Sequence, residues 1–424
     1  MTKPTNKLAM QIAQAVHDAG GRALFVGGYA RDEIMRRNGS KIESKDIDLE
    51  VYGVEKDALE KLLGKFGAVQ EFGKQYEVFH VDGIDVSLPR REQQVGPGHR
   101  DLETEYDPEM SFEEAFRRRD FTINAIGIDP LTDEVIDLYG GVSDIRDQVL
   151  RMVDPGTFAD DPLRPLRAAQ LASRFGLTIE PETLAFARTV DMTSLPKTRI
   201  GEEWHKLLVK SPKPSVGLKA MLEIGAIKQL HPELESILFQ TLLEPPLRKG
   251  GKPSVLELID KAASEPDRAE HDHIEVADRL LMVLCRDLGD KAPDFLIKLE
   301  IAKSRMARIV SVVKYSGTDT LQCVNSDAAI RNLSHNITPA SIRDLAWLLE
   351  LEEQGSAANL VEAAEHLGVL DNKPEPILNG KHLVEAGLTE SPEFGRILDR
   401  IYQAQLDGEV TNLEEAKKYA GTIR

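Results

Sequence analysis

The chain has 424 residues, 41% of them apolar, and its 71 acidic against 53 basic residues leave a formal charge of −18. This is enough apolar material for several cores, three or four subdomains, while the acidic balance argues against indiscriminate nucleic-acid binding, which depends on neutralising phosphates. Two cysteines, Cys285 and Cys323, provide neither a disulfide framework nor zinc-ligand spacing.

In chain order, Met1 to Arg22 reads as a short amphipathic helix without the apolar core of a signal peptide. No apolar stretch is long enough to span a membrane, so a reducing, cytoplasmic compartment is expected. Ala23-Leu24-Phe25-Val26 is an apolar run suited to a buried strand, and Gly27 and Gly28 end it. Tyr29 to Arg37 reads as a helix with Asp32 in its first turn. A strand, a glycine turn and a helix N-terminus present free backbone N–H groups to an anion, and Arg31 offers a forked contact to phosphate oxygens. An ordinary strand-to-helix turn with Arg31 in solvent fits the same residues.

Asp46-Ile47-Asp48-Leu49-Glu50-Val51-Tyr52 alternates as a half-buried strand does. Asp46, Asp48 and Glu50 then share one face, and Ile47, Leu49 and Val51 face the core. Neighbouring aspartates repel unless a divalent cation lies between them, and Mg²⁺ is usually held by one or two carboxylates plus substrate phosphates. A solvated polar face is the alternative. Gly83 to Leu88 is a second strand, with Asp85 as a possible third ligand. Arg91 to Glu114, rich in Gly, Pro, Glu and Asp, reads as a long loop. Arg117-Arg118-Arg119-Asp120 then leads through Phe121 to Ile126 as a basic turn before a core strand.

From Thr157 onward the periodicity is helical. Asp160-Asp161-Pro162-Leu163-Arg164 puts Asp161 and Arg164 three apart on one helix, or makes Asp161 its N-cap before proline. Glu244 to Lys252, with two prolines and two glycines, reads as a linker. Several arginines cluster in sequence near these motifs: Arg90, Arg91, Arg100, Arg117, Arg118, Arg119, Arg164 and Arg167.

The ordered set Gly27-Gly28-x-x-Arg31-Asp32, Asp46-x-Asp48 and Arg118-Arg119-Asp120-Phe121-Thr122-x-Asn124-Ala125 resembles the class II tRNA nucleotidyltransferases and bacterial poly(A) polymerases. Asp160-Asp161-x-x-Arg164 resembles their base-selecting motif, with Asp160 in place of the usual glutamate and Gln170 where arginine is common. Arg199-Ile200-Gly201-Glu202-Glu203, Leu378 to Leu383 and Pro392 to Gly408 continue the likeness, which is weakest from about Leu238 to Ile330.

The resemblance implies an α+β fold with a polymerase-β-like mixed-sheet head (1–145), followed by a helical neck (146–210), body (211–330) and tail (331–424). It implies template-independent addition of CCA, or its terminal A, to the 3′ end of tRNA from CTP and ATP, with Mg²⁺ held by Asp46 and Asp48 and Asp85 nearby. Gly27, Gly28 and Arg31 would cradle the triphosphate, and Arg119, Asp120 and Asn124 would orient it and the sugar. Asp161, Arg164 and Arg167 would read the base. Cytosine and adenine each present an amino donor beside a ring-nitrogen acceptor, the match for an aspartate and an arginine. Guanine and uracil reverse both contacts, at a cost of about 1–3 kcal/mol per mismatched buried group. The family's flexible loop, implicated in the switch to the final A, would correspond to Arg91–Glu114 and disfavours an enzyme adding only CC. In members of this length a His-Asp pair marks a phosphohydrolase domain. Here Arg286 precedes Asp287, and a cation does not ligate a metal. With His271-Asp272-His273 upstream read as a polar loop, that domain is expected to be a structural remnant. The rival readings are an A-adding enzyme with a separate CC-adding partner, a poly(A) polymerase, an HD-type hydrolase and a non-catalytic RNA-binding protein.

Overall fold

The computed structural model describes residues 4–42, 46–72, 78–94, 102–243, 253–269, 271–317, 325–352, 357–385 and 393–423. The expected linker at 244–252, Arg100 and Cys323 lie outside these residues. Two compact units emerge, Met1–Leu195 with Glu223–Leu230, and Pro196–Leu222 with His231–Arg424.

The first unit is built on a seven-stranded mixed sheet. Helix α1 (Pro4–Asp18) precedes β1 (Arg22–Phe25), α2 (Gly27–Arg37), β2 (Ile47–Tyr52), α3 (Lys56–Leu63), β3 (Gln70–Phe72), β4 (Val78–Val81) and β5 (Ile84–Ser87). The strands β8 (Gly127–Ile128) and β9 (Val135–Ile136) complete the spatial order β3-β4-β5-β2-β1-β8-β9. Among the described residues of this sheet only β2 and β5 run parallel, which requires a crossover connection, here through α3, β3 and β4. Ile47, Leu49 and Val51 are fully buried, as their alternation requires. The α+β reading therefore holds.

Several local expectations change. Helix α2 starts at Gly27, so Asp32 falls in its second turn rather than its first. Asp46 precedes β2 and is exposed. The segment read as a loop from Arg91 to Glu114 instead contains an antiparallel pair, β6 (Arg90–Gln94) with β7 (Leu102–Tyr106), and then α4 (Phe112–Arg117), capped by Ser111. Ladder pairing runs through the backbone and tolerates the acidic composition that suggested a loop. Residues 95–101 lie outside the described part. The strand expected over Phe121–Ile126 is a 3-10 turn at Thr122–Asn124, because the Asp120 side chain accepts from the Phe121 N–H and from Asn124 Nδ2. Such side-chain bonds compete with strand ladders.

After α5 (Gly141–Asp147), β10 (Val149–Leu150) and α6 (Pro155–Phe158) comes α7, which begins at Arg164 and runs to Phe175. Asp161 thus lies before the helix, not three residues back along it. Its carboxylate accepts from the Leu163 N–H at 3.1 Å and its carbonyl from the Arg164 N–H at 3.0 Å, a turn that leads into α7. Pro165, not Pro162, sits in the first helical turn.

The second unit is helical throughout its described residues. Helix Lys197–Lys210 carries the Arg199–Glu203 motif, in which Gly201 is required: a Cβ there would lie 2.6 Å from the Leu299 carbonyl. The tail motifs also shape their own helix ends. Asn379 accepts from the Lys381 N–H to start helix Gly380–Glu385, and Gly408 holds φ +82 under Arg331.

His231 is buried in this unit, edge-on to Trp204 and Phe295 with ring centroids 5.1 and 5.3 Å away. Burial pushes its imidazole below the ordinary value, against the opposing pull of Glu233. The native state therefore holds His231 neutral while the unfolded chain protonates near pH 6.5. Its stabilising contribution is present above that value and is lost as the pH falls, by up to about 1.4 kcal/mol per pH unit. Urea unfolding at pH 7.5 and 5.5 is expected to show this slope, reduced in His231→Phe. His205, whose value burial also lowers, supplies a remainder of the same sign. An unchanged slope in the variant would assign the effect elsewhere.

Candidate functional site

The glycine turn and the aspartate strand meet through the backbone. The Val26 N–H donates to the Asp48 carbonyl at 3.1 Å, which brings the end of β1 onto β2. Gly27 adopts φ +61, a conformation that side chains rarely take. A Cβ on it would lie 3.3 Å from Arg119 Nη1 and 3.5 Å from Asp48 Oδ2. The turn thus lies beside both a guanidinium and a carboxylate, at the first turn of α2.

Asp48 is half-buried and stands directly opposite Asp85 across the parallel β2–β5 pair. Burial pushes its carboxyl up to about 6; the charges of Asp85 and Asp46 act in the same direction, and Arg119 and Arg31 oppose them. Three acids therefore converge here in electrostatic terms. Asp85 also accepts a contact from His80 Nδ1 at 2.7 Å on the neighbouring strand. Carboxylate oxygens are the donors that a hard divalent cation takes, and a cation would relieve the repulsion among these groups. Among the described residues no three His, Cys, Asp or Glu side chains are grouped to hold an ion by themselves, so the Asp48–Asp85 pair fits an ion that takes its other ligands from substrate phosphates and water.

Arg31 is buried rather than solvated. Its Nε and Nη2 donate to Asp32 Oδ1 at 2.9 and 2.6 Å, and its Nη1 donates to Asn124 Oδ1 at 2.8 Å. Its guanidinium also stacks on Phe175 at 4.4 Å, with Arg174 on the same ring at 4.6 Å. From Asn124 the chain of bonds continues. Asn124 Nδ2 donates to Asp120 Oδ1, and Arg167 Nε and Nη2 reach Asp120 Oδ2 at 2.8 and 2.7 Å. Burial would raise the Asp120 carboxyl, but Arg167 and Asn124 hold it below the usual carboxylate range. Four sequence-picked residues, Arg31, Asn124, Asp120 and Arg167, thus form one connected set from α2 to α7.

Arg164 donates to the carbonyls of Thr157 and Arg118 at 2.7 and 2.6 Å, so it ties α7 to the basic turn. Gln170, where the resemblance leaves the contact to base or RNA open, is buried within α7. Of the expected basic cluster, Arg91 pairs with Glu114 and Asp107, Arg117 with Asp154, and Arg118 and Arg119 with Glu50. The sequence reading placed Glu50 only on the polar face. It is 1% exposed. Phe175 and Tyr52 were also missed, and aromatic residues at a helix end or a strand end carry no signal of their own.

In the second unit, Asp272 caps helix His273–Cys285 by accepting from the Ile274 and Glu275 N–H groups. Arg286 pairs with Asp287 at 2.7 Å and approaches Glu352. No helix among the described residues is long and apolar enough to cross a membrane.

Residues 23–151 match the poly A polymerase head domain model, and residues 176–238 match a model described as a probable RNA and SrmB-binding site of polymerase A. A multifunctional CCA protein from Stenotrophomonas maltophilia is 37% identical over 222 residues, 50% of this chain and 52% of that protein. The match thus spans about half the length of the curated relative. Among solved structures, the Bacillus stearothermophilus CCA-adding enzyme in complex with CTP shares the fold with a TM-score of 0.71 and 20% identity, covering 99% of this chain and 98% of that one. A tRNA nucleotidyltransferase complexed with a primer tRNA and an incoming ATP analog aligns with a TM-score of 0.62 and 21% identity, over 84% of this chain and 98% of that one. The chain thus carries a segment similar to the poly A polymerase head domain and a segment similar to that polymerase's RNA-binding region, on a fold shared with solved CCA-adding enzymes.

Proposed function

We propose that this protein adds nucleotides to the 3′ end of tRNA without a template, using CTP and ATP and releasing pyrophosphate. The observation that carries the reading is the Gly27 turn with Arg119 and Asp48 both against it, and Asp85 opposite Asp48 across the sheet. It puts donors for phosphate and acids for a cation within one small space. Relatives with this head are named for CCA, and solved neighbours bind CTP, or tRNA with an ATP analog.

In this reading Asp46 and Asp48 hold Mg²⁺, with Asp85 next to them. A bound ion supplies Lewis-acid stabilisation of the phosphoryl oxygens and a more acidic 3′-hydroxyl. The chain's own residues do the positioning, the main requirement of phosphoryl transfer. The α2 N-terminus and Gly27-Gly28 offer N–H groups to the triphosphate, and Arg119 faces it. Arg31, Asn124, Asp120 and Arg167 keep that end in register with α7. Asp161 and Arg164, at the start of α7, read the base, with Arg167 beside them. We assign the head to 1–145, the neck to 146–210, the body to 211–330 and the tail to 331–424, in a cytoplasmic enzyme whose HD-like region is structural.

Transcripts of tRNA ending before CCA, after C and after CC, each incubated with single and mixed NTPs, test this. Full repair of the shortest transcript from CTP and ATP, with no use of GTP or UTP, is expected. Extension of the CC-ending transcript alone would make the protein an A-adding enzyme, and long A tails on any RNA would make it a poly(A) polymerase. No incorporation at all would overturn the reading.

A further inference from the structure

We propose that Glu50 is a positioning residue that holds Arg119 toward the phosphate end of the site and away from Asp48; this rests on the nucleotide-site reading above. Glu50 follows Asp48 by two positions on β2, facing the same side of the sheet. One oxygen accepts from Arg118 Nη2 at 2.7 Å. The other accepts from Arg119 Nη2 at 3.3 Å and from the Tyr52 hydroxyl at 2.7 Å. Burial opposes its ionisation, but Arg119 and Arg118 outweigh that and keep its carboxyl below the ordinary value.

A buried carboxylate is costly unless it is paired and hydrogen-bonded. An apolar residue would pack more easily at this position, opposite Leu24 on β1. What the carboxylate does is fix the orientation of two neighbouring guanidinium groups. Arg119 is held through Nη2, which leaves Nη1 against Gly27, 3.3 Å from the position of an added Cβ. Its guanidinium also lies over the Phe116 ring at 5.6 Å. Asp48 Oδ2 borders the same spot, so an unanchored Arg119 has a ready alternative partner there. A guanidinium turned onto Asp48 would occupy the carboxylate meant for a cation and withdraw its fork from phosphate oxygens. Glu50 keeps these two charges on separate tasks.

The test is isothermal titration of the full chain with ATP and CTP in the presence of Mg²⁺, together with steady-state kinetics on a tRNA substrate. Glu50→Gln keeps the shape and removes the charge. We expect about a tenfold rise in the Kd and KM for both nucleotides, as for loss of a supporting partner behind a ligand-binding group. The KM for tRNA and the preference between ATP and CTP should stay near wild type. Arg119→Ala should weaken nucleotide binding further, and the double variant Glu50→Gln with Arg119→Ala should bind no worse than Arg119→Ala alone. Additive losses would overturn the inference, as would a lower melting temperature and kcat at unchanged nucleotide KM. Should Glu50→Gln not fold, Tyr52→Phe removes one donor to Glu50, and about a threefold loss of ATP affinity is expected; no loss would overturn the inference. If the wild-type chain extends no tRNA and binds neither nucleotide, the function reading fails and takes this inference with it. If wild type is active and Arg119→Ala is impaired while Glu50→Gln is not, only the role of Glu50 fails.

Discussion

Asp48→Ala is expected to lower nucleotide incorporation at a tRNA 3′ end by about 10³-fold or more, the scale of losing a principal electrostatic stabiliser. Asp48 meets the glycine turn, the facing strand and two of the site's arginines at once. It lies beside the Gly27 turn, opposite Asp85, and within the field of Arg119 and Arg31. Single-turnover extension of a labelled transcript measures the loss, and more than a few per cent of wild-type rate would sink the cation-holding assignment. The same substitution removes a carboxylate that Asp85 and Asp46 repel, so the melting temperature should hold or rise. A falling rate with undiminished stability is the pattern of a residue kept for chemistry at some cost to the fold.

Gly141→Ala is expected to destabilise the first unit by about 3 kcal/mol, at the upper end of what overpacking costs. A Cβ on Gly141 would lie 2.1 Å from the Thr122 carbonyl oxygen, which is backbone and cannot swing aside. Thr122 starts the 3-10 turn that carries Asn124, and its hydroxyl donates to Asp144 Oδ2 on α5 at 2.6 Å. The turn must shift as a whole, so activity should fall with stability. Thermal unfolding should show a drop of about 10 °C for a unit of this size. A drop under about 2 °C would mean that α5 slides to accommodate the methyl group.

Much of the head was readable because its signals are local. The apolar run at Ala23–Val26, the Gly27-Gly28 pair and the alternation around Asp48 each report their own secondary structure. What the sequence could not carry was pairing at a distance. Nothing in Arg91–Glu114 announces that Arg90 will face Tyr106, and strand pairing depends on partners more than on intrinsic preference. The start of α7 was misplaced because Asp161 and Pro162 carry a common helix-start signature, while the observed turn uses the same aspartate one step earlier. Arg31 was read as solvent-facing or phosphate-binding. Its burial against Phe175 depends on α7 packing over α2, which no local pattern encodes. Glu50 was passed over because one more acid on a polar face looks ordinary until its two arginines arrive from another segment.

The parallel pairing of β2 and β5 also sets a timetable for folding. Strands β4 and β5 can form their hairpin from neighbours in sequence, but β2 joins β5 only after the whole crossover through α3 has closed. Such non-local contacts form slowly, because loop closure must come before they contribute anything. Asp48 and Asp85 therefore remain apart in partly folded chains and become neighbours only when that last strand docks. An assembling head can carry its glycine turn and its hairpin and still have no acidic pair.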